Sequence, residues 1–271
     1  MSLIRIAVRV SAIQALKENT LVGTNVIDSA IGTFQTSNGV VTGIKGQGPF
    51  VAVYTDSATT GDVDLKSLVS NGLTEIIFET GITMTMTETD EETGESRIVG
   101  LEIPATDAAL EMSMDVVMRQ IGDVLTNPDN EWAQIYSGLI LNYTKTTRSR
   151  VGNADDGTKL AGQQLKIEAQ LIDDPSLGDA IDPGSAFGAF LAKAEASTDD
   201  NLIATATKLR EYVHVTDEGW TNVQRMFGMT AGELLALGLG PLGQDEDRST
   251  PPLAEATAEI EGIAPVTVSN E

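Results

Sequence analysis

His214 is the single histidine of the chain, so any histidine-activated nucleophile would have to run through it. No G-x-S-x-G stands before or after it, and an HExxH metal site is excluded because it needs two histidines. An ordinary surface or packing role is the plain reading of His214. Gly46, Gln47 and Gly48 open like a dinucleotide-binding loop, but the third glycine is missing and Pro49 stands where an amide should face phosphate. An apolar strand follows there instead of a helix, so the match is spurious. No G-x-x-x-x-G-K-[ST] run exists. Asn153-Ala154-Asp155-Asp156-Gly157 resembles the start of an EF-hand loop, yet the residue expected to be a bidentate glutamate is Gln164. A solvated hairpin turn is favoured there over a loose cation site. Asp90, Glu91, Glu92 and Glu95 form a second acidic turn. They could line a pore, hold divalent cations, or make a hydrated loop in which their mutual repulsion is cheap. Taken alone, the hydrated loop is the simplest of the three. No constellation calls for a catalytic group, a metal or a cofactor, and none is expected.

The composition narrows the classes further. The chain has 271 residues, 40 acidic against 17 basic, and a formal net charge of −23. Such a surplus argues against holding nucleic acid through a basic face. It does not argue against nucleic acid passing nearby, because an acidic wall repels DNA instead of gripping it. High solubility without any special partner fits the charge equally well. With no cysteine, disulfides and thiolate metal sites are excluded. Arg5 and Arg9 interrupt the apolar N-terminal run, and no uncharged apolar stretch approaches the ~20 residues of a membrane span. Neither a signal peptide nor a membrane association is expected.

The elements that would position the acidic turns come next. Residues 73 to 88 (LTEIIFETGITMTMTE) alternate after the glycine, with Ile82, Met84 and Met86 on one face and Thr83, Thr85 and Thr87 on the other. Residues 97 to 103 (RIVGLEI) return as a second strand, so the acidic run 89 to 95 becomes the tip of a hairpin arm. Pro104 and Thr106 open a helix from about Ala105 to Leu125, with Ala109, Met112, Val116, Val117, Ile121, Val124 and Leu125 as its apolar side. Asn127-Pro128 stops it.

Upstream, residues 3 to 18 read as an amphipathic helix, 25 to 29 as a short extended piece, and 32 to 48 as a Gly/Ser/Thr-rich loop. PFVAVYTDS reads as a buried strand, and a helical turn is expected within 62 to 70. Downstream, 131 to 141 suggests a short helix with Trp132 and Ile135 facing the core, and 142 to 150 a strand. QQLKIEAQLI (163 to 172) places Leu165, Ile167, Ala169 and Leu171 on one face, the cleanest half-buried strand in the chain. Beyond Ser176, helical faces occur at 185 to 194, 199 to 208, 221 to 227 and 231 to 237, with Asp199 and Thr230 as N-caps of the second and fourth. The acidic, aromatic-poor stretch from Pro241 onward has the composition of a tail without a core of its own, ordered only if it lies across a neighbour.

The parts divide into a sheet domain with an extended β-hairpin arm over 1–175, a helical extension over 176–240 and an acidic tail over 241–271.

The order of the parts also resembles a known family. The helix 4 to 16, the phrase ALKENTLVGTNVIDSAI (15 to 31), the proline-started strand PFVAVYTDS, the β-arm, the helix 108 to 125, the stop Leu125 to Pro128 and the strand QQLKIEAQLI are similar to bacteriophage tail terminator proteins. The likeness spans roughly residues 1 to 174; the extension and tail after Ser176 depart from the short members. It implies an α+β fold, a mixed or antiparallel sheet packed by helices, in a virion protein of a long-tailed phage, made in the host cytoplasm, that forms a hexameric ring at the head-proximal end of the tail. Such a ring halts tube polymerisation and joins the head. Its implied partners are other copies of itself, the tail tube protein and a neck or head-completion protein, with DNA passing through a channel without specific binding. The family has no catalytic residues to carry over. Channel or subunit-interface candidates are Asp90, Glu91, Glu92 and Glu95, then Asp155 and Asp156. A tail tube or neck-completion ring is the nearest alternative. A cation- or small-molecule-binding enzyme is the alternative from another class, although the residues supply no convergent polar set for it.

Overall fold

Apolar residues at helical spacing near the N-terminus make α1 (Leu3–Leu16), which buries Ile4, Ala7, Val8, Ile13 and Leu16 among others. In the computed structural model, described over residues 2–29, 47–61, 70–89, 96–152, 159–176, 178, 180–213, 224, 228–238, 255–258 and 266–269, this helix packs on a mixed sheet. The chain continues through β1 (Val26–Asp28), β2 (Gly48–Thr59), β3 (Leu73–Thr89), β4 (Ser96–Glu102), α2 (Ala108–Leu125), α3 (Glu131–Gly138), β5 (Ile140–Gly152) and β6 (Lys159–Leu171). Then come α4 (Ala186–Glu195), α5 (Asp200–Val213), a short α6 (Ala231–Ala236), β7 (Glu255–Ala258) and β8 (Val266–Ser269). The fold class is α+β.

The sheet order is β1-β2-β3-β6-β5, with β4 added to β3 alone. Only the β1–β2 pair is parallel; the other neighbours are antiparallel. β3 is the organising strand. Its first part, from Leu73 to Gly81, lies between β2 and β6, and its last part, from Met84 to Thr89, pairs only with β4. A strand of 17 residues spans roughly 55 Å at about 3.3 Å per residue, so β3 outruns the sheet.

Alternation on the central strands sends Val51, Val53, Ile76, Phe78, Leu165, Ile167 and Ala169 into one large cluster with residues of α1 to α5. The opposite side holds a smaller cluster of Phe50, Ala52, Ile103 and Ala161. Both faces of β2 and β3 are therefore covered at their centres, which is why residues 50 to 54 and 76 to 81 are buried without a break.

Caps fall where local chemistry asks for them. Asp107 accepts from the amides of Ala109 and Leu110 at 2.9 and 2.8 Å, so α2 starts at Ala108 and not at Ala105. Asp199 accepts from Asn201 at 2.9 Å ahead of α5. Thr230 and Glu233 exchange hydrogen bonds as a capping box at the start of α6.

Several sequence-based expectations need correction. Of the residues assigned to α2's apolar side, Met112 and Val116 are exposed, at 70% and 38%, and Ala109 is exposed as well. The buried stripe is Met114, Val117, Met118, Ile121 and Leu125. On β3 the alternation left open which face is covered; where the strand leaves the sheet, Thr83 is buried and Met84 exposed. The segment from 176 is not peripheral over its first part, because Phe187, Phe190, Leu191, Leu202, Leu209 and Val213 belong to the main core. A boundary at 175 is thus a change of sequence texture and not of core. The C-terminal stretch, expected to have no core of its own, contains an antiparallel pair in which Ala256 opposes Val268, which adds strands to that expectation without supplying a core. Composition averaged over a segment hides a few alternating Val, Thr and Ala residues that suffice for two short strands. The expected loop at 32 to 48 lies mostly, and the turn at 62 to 70 and the helix at 221 to 227 almost entirely, outside the described residues, as does His214.

Candidate assembly surfaces

Asp90, Glu91, Glu92 and Glu95, and likewise Asp155 and Asp156, lie outside the described residues; the strands that lead into both runs are described. β3 and β4 remain paired to Thr89 and Ser96, where the two hydroxyls are 2.8 Å apart. β5 and β6 remain paired to Gly152 and Lys159. Because Gly81 opposes Gly162, the ends of both hairpins point to the same end of the sheet. The first projects farther, as β3 continues well past the level at which β6 begins.

The other end of the sheet is tied down. Asp174, just after β6, accepts from the amides of Leu3 and Ile4 at 3.0 and 3.1 Å, from Ser2 Oγ and from Asn71 Nδ2. A carboxylate there satisfies amides that a helix start leaves without partners and sits at the positive end of the helix dipole. Asp173 accepts from Ser70 Oγ at 3.1 Å, so the last turn of chain after β6 holds α1 and the entry to β3 together.

Three features of the described surface bear on function. The first is β5. It forms one edge of the sheet, and residues 141 to 150 are exposed without exception. Lys145 pairs with Glu168 at 3.3 Å and Arg150 with Glu111 at 2.9 Å. The register against β6 shifts at three places. The second is the outer side of α2, where an open groove of about 450 Å³ is lined by Glu111, Met112, Asp115, Val116, Arg119 and Gln120. Exposed Leu21 lies beside it, its amide donating to Gln120 Oε1 at 2.8 Å.

The third feature is a buried polar set on the face of the sheet away from α1. Glu79 is 5% exposed. Its Oε1 accepts from Tyr54 Oη at 2.7 Å and from Gln164 Nε2 at 3.1 Å, while its Oε2 has no partner. Burial raises the Glu79 pKa, against the opposing effect of those two hydrogen bonds. Burial also raises that of Tyr54, which the Glu79 hydrogen bond pushes further the same way. The set joins three strands, and the charge of Asp56 acts on Tyr54 in the same upward direction. Among the described residues no cluster of three or more His, Asp or Glu is placed to hold a metal ion.

A raised carboxyl pKa has a definite sign. The folded chain binds this proton more tightly than the unfolded chain, so the Glu79 contribution to stability falls as pH rises from the ordinary glutamate value, about 4.3, through the higher folded value. Glu79→Gln keeps the accepting Oε1 and cannot ionise. The variant is expected to lie within about 1 kcal/mol of wild type at pH 4 and to gain on it steadily towards pH 7. Parallel urea titrations at the two pH values check this; a difference that is flat or moves the other way removes the buried-carboxyl account.

Sequence reasoning missed each of these surfaces for its own reason. Glu79 sits in a run (EIIFET) whose glutamate reads as solvent-facing by type. Met112 and Val116 carry a signal that was available: at 100° per residue each lies 200° around α2 from Met114. The edge position of β5 depends on strand order, which no local pattern encodes.

Neither a known protein family nor a curated protein matches this chain. Among the described residues no helix is long and apolar enough to cross a membrane.

Proposed function

We propose that this chain is a structural, non-catalytic virion protein of a long-tailed phage. It assembles as a hexameric ring on the head-proximal end of the tail tube, stops tube growth, and offers the surface that joins the head around a channel for DNA. The observation that carries the reading is the arm: β3 leaves a sheet that is covered on both faces and runs on, paired only with β4. A two-stranded ribbon on its own is marginal in water, so an arm of this kind is best accounted for by a neighbour that it lies against. The exposed edge of β5 and the acidic surplus fit the same picture. The first offers a contact between subunits, and the second gives a departing genome no phosphate-binding wall.

The test is removal of Thr89 to Glu95 with a two-residue turn in their place. The variant subunit is expected to keep its circular dichroism and melting behaviour while failing to form rings on purified tail tubes and to join heads. Normal ring formation and head joining by the shortened protein would remove the arm from the mechanism and, with it, the main support for this reading.

A further inference from the structure

The exposed edge strand β5 carries the stretch of sequence in which the sign of the charge reverses. Between Glu131 and Asp155 the sequence contains no acidic residue, while Lys145, Arg148 and Arg150 all fall on β5. This occurs in a chain with 40 acidic and 17 basic residues. β5 pairs with β6 on one side only, and its exposed residues include Leu141 and Tyr143, at 61% and 53%. Lys145 and Arg150 are paired with Glu168 and Glu111 of the same chain, so the charge left over is that of Arg148, which has no ion pair among the described residues.

An uncovered edge of this length is a template for another strand. The cations and the three register shifts of β5 limit which strands fit, since charge and bulges are the usual means of blunting an edge. What remains is selective for an acidic partner. Antiparallel pairing of two β5 edges centred on or beside Arg148 would set Arg148 against Arg148 or Lys145 against Arg150. A self-complementary two-fold contact is thereby disfavoured. A head-to-tail contact, in which the basic edge of one copy meets an acidic surface of the next, is favoured, and contacts of that type close into rings when the rotation allows.

We infer that the free edge of β5, centred on Arg148, is the surface through which one copy of this chain engages an acidic face of a second copy. The inference rests on the ring reading above and supplies the contact that the reading lacks. Copies that each carry −23 repel one another over most approaches, and β5 is the place where that repulsion turns into attraction.

The experiment is sedimentation velocity and native mass measurement of the full chain over the micromolar range, at low and high salt. Wild type is compared with Arg148→Glu, with the double variant Thr146→Glu/Arg148→Glu, and with Lys208→Glu, an exposed cation on α5, as a control. Wild type is expected to self-associate, more strongly at low salt. R148E is expected to weaken association at least about tenfold and the double variant to abolish it, with melting curves unchanged, while K208E behaves as wild type. A folded double variant that associates like wild type overturns the β5 contact and leaves the ring reading standing. Wild-type association that depends on Arg148 but yields a closed dimer or an open filament supports the contact and overturns the hexameric ring. A wild type that stays monomeric throughout overturns the contact.

Discussion

Phe190→Ala is expected to lower the unfolding free energy by about 3–5 kcal/mol, the range for removing a fully buried aromatic side chain from a close-packed core. Phe190 has no exposed surface. Its ring meets Trp132 of α3 edge-on at 6.2 Å and stacks near Phe187 at 6.3 Å. Lys193, one turn on, lies over the Trp132 ring at 5.4 Å and pairs with Glu131. The cavity left by the substitution would open between α3 and α4, where Gly138 already brings the backbone against Ala186. Because these side chains share a cluster with α1 and the sheet, the loss should appear as one cooperative transition shifted as a whole. A chain ended at Pro175 should fail to fold, since it uncovers the same surface entirely. Urea unfolding followed by tryptophan fluorescence and by far-ultraviolet dichroism checks both statements. Two separate transitions, or a stable 1–175 fragment, would show that α4 and α5 form an independent unit.

Asp174→Ala is expected to cost about 2–3 kcal/mol, with Asp174→Asn costing less because one accepting oxygen remains. The carboxylate serves four donors from two distant segments: Ser2 Oγ, the Leu3 and Ile4 amides, and Asn71 Nδ2. Removing it leaves the first amides of α1 without an acceptor and frees the approach to β3. Thermal unfolding of the two variants beside wild type gives the comparison. The reading also requires faster hydrogen exchange at Leu3 and Ile4 in the alanine variant. A variant within about 0.5 kcal/mol of wild type, the scatter of ordinary surface substitutions, would mean that water replaces the carboxylate at this partly exposed site.

Both effects depend on long-range contacts, and the sequence encodes them unevenly. Phe187 and Phe190 could be recognised as the apolar side of a helix, but nothing local says that Trp132 waits opposite them. Asp173-Asp174-Pro175 could be recognised as the end of a strand, and is the punctuation that ends β6. Its service to α1, more than 170 residues earlier, follows only from the way the sheet brings the end of β6 to the start of the chain.

What the sequence determined by itself is what neighbours in the chain settle among themselves. The alternation of Leu165, Ile167, Ala169 and Leu171 makes β6 a half-buried strand. Asn127-Pro128 ends α2, and Asp199 and Thr230 cap α5 and α6 through their own hydroxyl or carboxylate groups. Such periods mark out the helices and strands of which the α+β fold is built. The tertiary structure decided which side of each element is covered. An amphipathic period assigns two faces to a helix or strand without saying how wide a stripe the neighbours will bury, so Met112 and Val116 were left in solvent and Thr83 was taken inside. Strand order put β5 at the edge and Glu79 between β2 and β6, where burial and not residue type controls its proton. Those outcomes are set by packing between segments far apart in the chain, and local spacing carries no term for it.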